Sequence, residues 1–152
     1  MPTGLAVATA AFAWFAPPPP AHAGIGWVDA GAEGVGTGWV VDRENRWLVT
    51  CRHVVGERKK VEVFFPALRN GTLRTDKSDY LGDRAALRKA GLLVVGTVTR
   101  TDDATDLALV TLDAIPPSVT GLSLASDLPS PGDPLRSLGN RGDLDTLWNE
   151  TA

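Results

Sequence analysis

The chain has 152 residues, 43% hydrophobic and 22% charged, which is the composition of a folded domain and not of a disordered or fibrous one. Fifteen Lys and Arg against 18 Asp and Glu give a net charge of −3, which excludes the phosphate-neutralising surface of a nucleic-acid binder. One cysteine excludes an internal disulfide, and Cys51 with a distant second histidine cannot build a structural zinc site, so no metal and no cofactor is expected.

Leu5–Ala16 is an apolar run too short to span a hydrocarbon core of ~30 Å as a helix. Pro17–Pro20 breaks any helix, and Ala21-His22-Ala23 is an A-x-A cleavage pattern. Together they read as a signal peptide over residues 1–23, which implies a periplasmic or secreted protein without stable membrane insertion. No Lys or Arg precedes the apolar run, so an Ala/Pro-rich leader without signal function is the other reading.

From Gly24 the chain is punctuated like a β protein, with 16 Gly and 11 Pro overall. Gly26–Val28 is a short apolar piece before the glycine-rich turn Asp29–Gly34. Gly36–Asp42 and Arg46–Thr50 read as strands of a hairpin around Arg43-Glu44-Asn45. Lys60–Phe65 alternates polar and apolar, the signature of a half-buried strand, and Asn70-Gly71 marks a turn. Asp79–Lys89 is the one helical stretch, with Ser78 or Asp79 to cap it and Gly91 to end it. Leu92–Thr99 and Asp106–Leu112 are further strands. Residues 115–134 hold five prolines and read as an extended connector. Leu135–Leu138 opens a new strand with no partner strand expected before Ala152. The organisation is thus a first β-barrel over 24–114, a linker over 115–134 and the start of a truncated second barrel over 135–152.

Two places carry chemistry. Thr50-Cys51-Arg52-His53-Val54-Val55 puts a histidine just past a strand end, and Asp106-Leu107-Ala108-Leu109-Val110 puts a carboxylate at the first position of another strand. A histidine acting as general base needs an acceptor on its second ring nitrogen, and Asp106 would supply it if the strands converge. Taken alone, a single histidine such as His53 is more often a structural residue than a catalyst, and an aspartate at a strand start such as Asp106 is usually a turn or cap residue. Cys51 reads as a small buried apolar side chain rather than a nucleophile. Asp102, Asp103 and Asp106 lack the glycine and distal glutamate of a calcium loop.

The sequence Gly36-Thr37-Gly38-Trp39-Val40-Val41-Asp42, then Trp47–Val55, then Asp106–Val110, resembles the trypsin-like serine peptidases, most closely their HtrA-like bacterial branch. Ser123–Ser126, Pro131-Gly132-Asp133 and Leu138-Gly139-Asn140 resemble the family's inter-barrel connector and the opening of its second barrel. The resemblance covers about Gly34 to Trp148. It implies an all-β fold of two antiparallel Greek-key β-barrels with the active site between them, here with one short helical insertion. It makes His53 the general base and acid and Asp106 the residue that orients it, acting on polypeptide substrates. It says nothing of oligomeric state.

The family's serine lies in a G-[DN]-S-G-G segment, which this sequence lacks. Ser118, Ser123, Ser126, Ser130 and Ser137 follow Asp106, and none has the flanking glycines whose N–H groups would form an oxyanion hole. Gly121-Leu122-Ser123 superficially resembles a nucleophile elbow, but no histidine follows it to complete that order. The sequence therefore reads as the N-terminal half of a secreted serine endopeptidase, inactive alone. The alternatives are a non-catalytic relative that binds protein or peptide segments, and a plain β-barrel with a structural His53.

Overall fold

The computed structural model describes residues 21–151. Most of the expected signal peptide, residues 1–20, lies outside the described residues. Ala21–Gly24 forms a short 3-10 turn that leads into the first strand.

The chain then runs β1 (Ile25–Asp29), β2 (Val35–Asp42), β3 (Trp47–Cys51), α1 (Arg52–Val55) and β4 (Lys60–Phe64). After these come β5 (Leu68–Arg69), β6 (Thr72–Leu73), α2 (Lys77–Gly82), α3 (Arg84–Lys89), β7 (Leu93–Asp102) and β8 (Leu107–Leu112). The last strands are β9 (Ser137–Gly139) and β10 (Asn149–Thr151). Six strands close a barrel in the order β1-β2-β3-β8-β7-β4, and every pairing is antiparallel. The all-β, antiparallel barrel expected from the sequence is the fold.

Period-2 patterning explains the closure. Ala108, Val110 and Leu112 of β8 point inward, while Leu107, Leu109 and Thr111 face outward or sit half-buried. Val28, Val40, Leu48, Val63 and Val110 are fully buried in the interior, and each such side chain stabilises the fold by about 1.5–3 kcal/mol. The interior is tight enough to dictate glycine on β2. A Cβ on Gly38 would lie 2.5 Å from Leu48 Cδ2, and one on Gly36 would lie 2.5 Å from Val54 Cγ2. The G-T-G motif thus leaves room for Leu48 in the core and lets α1 settle onto the barrel.

A second core lies outside the barrel wall, over β1 and β4. Trp27 stacks on Phe64 at 4.8 Å, Tyr80 meets Phe64 edge-on at 6.2 Å, and Trp148 meets Tyr80 at 5.9 Å. The Tyr80 hydroxyl accepts from Ala67 N–H and Trp148 Nε1–H and donates to Arg74 C=O, so its buried polar atom is satisfied.

Several local expectations change. The single helix over Asp79–Lys89 is two helices separated at Asp83, whose φ of −99° and ψ of 21° leave the helical region. Gly82, a poor helix former, sits at that break. The cap is Asp76, which accepts from Ser78 N–H at 2.8 Å, and neither Ser78 nor Asp79 caps the helix. Asp106 is not the first strand residue: it occupies the preceding turn with φ +54°, a left-handed conformation that aspartate tolerates. The strand near residue 135 does have a partner, since β9 pairs antiparallel with β10. That hairpin is fastened to the barrel. Asn140 accepts from Trp148 N–H, donates from Nδ2 to Gly26 C=O, and its N–H donates to Thr37 Oγ1. The proline-rich stretch 115–134 carries no strand; its first part is tied to the barrel, with Leu122 N–H donating to Val40 C=O at 2.8 Å, while residues 123–134 are exposed. Arg43 donates to the carbonyls of Pro116 and Val119.

Candidate active site

His53 sits in α1, one turn of helix that begins where β3 ends. Asp106 closes the turn between β7 and β8. Because β3 and β8 are neighbours, with Cys51 opposite Leu107, the end of one strand and the approach to the other meet at the same rim of the barrel.

Asp106 grips α1 at three points. Its carbonyl accepts from Arg52 N–H at 2.9 Å, its Oδ1 accepts from His53 N–H at 2.9 Å, and its Oδ2 lies 2.6 Å from His53 Nδ1. The left-handed backbone of Asp106 is what lets carbonyl and carboxylate face the same helix. With Oδ2 as acceptor, the neutral imidazole carries its proton on Nδ1 and presents a bare Nε2 outward. His53 and Asp106 side chains are 71% and 48% exposed, so their ion pairing in this chain is largely screened and adds little to stability.

The His53 backbone N–H, then the His53 ring, hold the Asp106 carboxyl below its ordinary range. A group with a lowered folded pKa contributes stability above the ordinary carboxylate range and loses it as pH falls through the lowered value. Carbon-13 NMR of the Asp106 carboxyl should therefore give a midpoint below the ordinary aspartate value of about 3.9. His53→Ala should raise that midpoint only in part, since the backbone N–H stays. A wild-type midpoint at or above the ordinary value would contradict the three-point grip.

Cys51 is half-buried at the N-cap of α1, where the sequence suggested full burial. Burial, then the Asp106 charge, pushes its thiol pKa up, which opposes a thiolate nucleophile. Arg52 reaches Asp103 at 2.6 Å and Glu57 at 3.1 Å, bracing α1 from both sides. Sequence reading missed Arg52, Thr37 and Asn140 as positioning residues, because bracing contacts of this kind carry no spacing signature. Among the described residues no hydroxyl hydrogen-bonds the His53 ring, and Ser118, Ser123, Ser126, Ser130 and Ser137 are all solvent-exposed.

A closed six-stranded barrel, with a histidine after its third strand and an aspartate before its sixth, defines a class. A family model for the trypsin-like peptidase domain matches residues 36–150, and the chain belongs to that family. Among solved structures, the serine endoprotease from Yersinia pestis matches with a TM-score of 0.57 at 16% identity. The match covers 85% of this chain and 39% of that one, so the chain spans well under half the length of this relative. At that identity the likeness is one of fold. No curated protein matches the sequence.

Proposed function

We propose that this chain supplies the general base and its orienting carboxylate to a trypsin-like serine endopeptidase acting on polypeptides. The observation that carries the reading is the 2.6 Å contact between His53 Nδ1 and Asp106 Oδ2, reinforced by the His53 N–H bond to Oδ1. In this reading His53 Nε2 takes the proton of a serine hydroxyl as it attacks the scissile carbonyl, then returns it to the leaving amine. Asp106 keeps the proton on Nδ1 and stabilises the imidazolium that forms. The serine comes from a segment that is not among these 152 residues, since no G-[DN]-S-G-G segment occurs in them. Residues 24–114 then form the first barrel, 115–134 the connector and 135–152 the opening of the second.

Peptide hydrolysis by the 152-residue chain should not exceed that of its His53→Ala variant, because a base with no hydroxyl to deprotonate cannot form an acyl-enzyme. A His53-dependent turnover would overturn this assignment of parts. Should a longer polypeptide also prove inactive while binding peptides, the non-catalytic reading takes its place.

The same proposal places the protein in the periplasm or outside the cell. Gly24, the residue after the A-x-A pattern, packs so closely on the connector that a Cβ there would lie 2.7 Å from Leu122 Cγ. Processing after Ala23 would leave that seated glycine as the mature terminus. Sequencing of the exported protein should begin at Gly24, and a cytoplasmic product retaining Met1 would refute export.

A further inference from the structure

Beside the His53–Asp106 contact stands a third donor that proteolysis does not use. Cys51 Sγ, a His53 ring nitrogen and an Asp106 carboxylate oxygen all lie within 4.8 Å of one another. Around a tetrahedral zinc-class ion, bonds of about 2.0–2.3 Å put ligand atoms roughly 3.4–3.6 Å apart. The contact of 2.6 Å between Nδ1 and Oδ2 must therefore open, and the sulfur must stay near or draw in. The His53 ring is exposed while Cys51 and Asp106 are half-buried, so the larger movement falls to the His53 ring. The backbone positions need not change, because Cys51 is fixed opposite Leu107 by the β3–β8 ladder and α1 is held by Asp106.

We propose that Cys51, His53 and Asp106 form an open three-donor site for a zinc-class divalent cation, and that the bound ion silences His53 as a base. The sulfur–nitrogen–oxygen donor set selects zinc, cobalt or cadmium over magnesium and calcium, which prefer oxygen alone. A thiolate and a carboxylate balance the charge of a divalent ion, and solvent completes the fourth position. On binding, the Cys51 thiol releases one proton to bulk water as the sulfur–metal bond forms. The imidazole keeps its own proton but moves it from Nδ1 to Nε2, leaving the nitrogen that faces solvent without a free lone pair. This is not the closed four-ligand structural site that the sequence excludes: it needs one cysteine and one histidine only.

Cobalt(II) titration of the full chain should produce a thiolate-to-metal charge-transfer band that zinc abolishes and that magnesium and calcium leave unchanged. Titration calorimetry with zinc should show one site and release of about one proton. Loss of a supporting contact alone costs about 10–100-fold in metal affinity, so Cys51→Ser and Asp106→Asn should each weaken zinc at least that much. Circular dichroism of each variant checks that it has folded, and Cys51→Ala provides a second test of the sulfur. Absence of the charge-transfer band, or zinc binding unchanged in Cys51→Ser, would overturn the proposal. Turnover enters none of these measurements, so they stand or fall separately from the peptidase reading.

Discussion

Asp106→Asn should lower kcat for peptide hydrolysis about 10⁴-fold in a polypeptide that joins this chain to a serine nucleophile, with the barrel intact. The magnitude follows from which atoms the substitution alters. An asparagine Oδ1 can still accept the His53 N–H, so α1 keeps its anchor. The amide nitrogen, however, donates where Oδ2 now accepts from Nδ1. The imidazole proton is then driven to Nε2, where it blocks removal of the serine proton. His53→Ala should cost at least as much, and the double variant should be little worse than either single one, because the two residues act as a unit. Steady-state kinetics with a peptide substrate decide the matter. A loss below about tenfold for Asp106→Asn would mean that tautomer control is not its role.

Trp148→Ala should destabilise the protein by about 3–5 kcal/mol, the range for removing a large buried aromatic side chain. Trp148 is 5% exposed, packs edge-on against Tyr80, and donates from Nε1 to the Tyr80 hydroxyl at 3.0 Å. Truncation leaves a cavity against Tyr80 and removes one partner of its buried hydroxyl. Trp148→Phe keeps most of the ring and should cost only about 1 kcal/mol, mainly the lost hydrogen bond. Urea denaturation of both variants distinguishes packing from hydrogen bonding. A cost below about 1 kcal/mol for the alanine variant would show that residues near 148 are not integral to this fold.

The parts legible in the sequence are those with a short period or a short motif. Ala108, Val110 and Leu112 announce their strand by alternation, and Asn70-Gly71 announces its turn because both residues adopt positive φ. His53 and Asp106 could be paired from the words around them, with their meeting left conditional on where the strands lie. The left-handed turn at Asp106 has no such signal, since aspartate serves equally well at the start of a strand. The partner of β9 carries no signal of its own, because Asn149-Glu150-Thr151 is three residues long and polar. Tyr80 and Trp148 lie 68 positions apart, so no local pattern relates them. The break at Asp83 was hidden for another reason: Arg84–Lys89 continues with good helix formers, and they mask a single residue leaving helical geometry.

The β3–β8 ladder also sets a schedule. His53 leaves the ribosome 53 residues before Asp106, and the two are joined only when β8 lies down beside β3. Ladders between strands so distant in sequence must first meet the entropy of closing a long loop, so they form late, after hairpins such as β2–β3. Until then the imidazole has no carboxylate acceptor at Nδ1 and no fixed tautomer. Pairing of His53 with Asp106 therefore coincides with completion of the barrel, at a point set by the order in which the strands arrive.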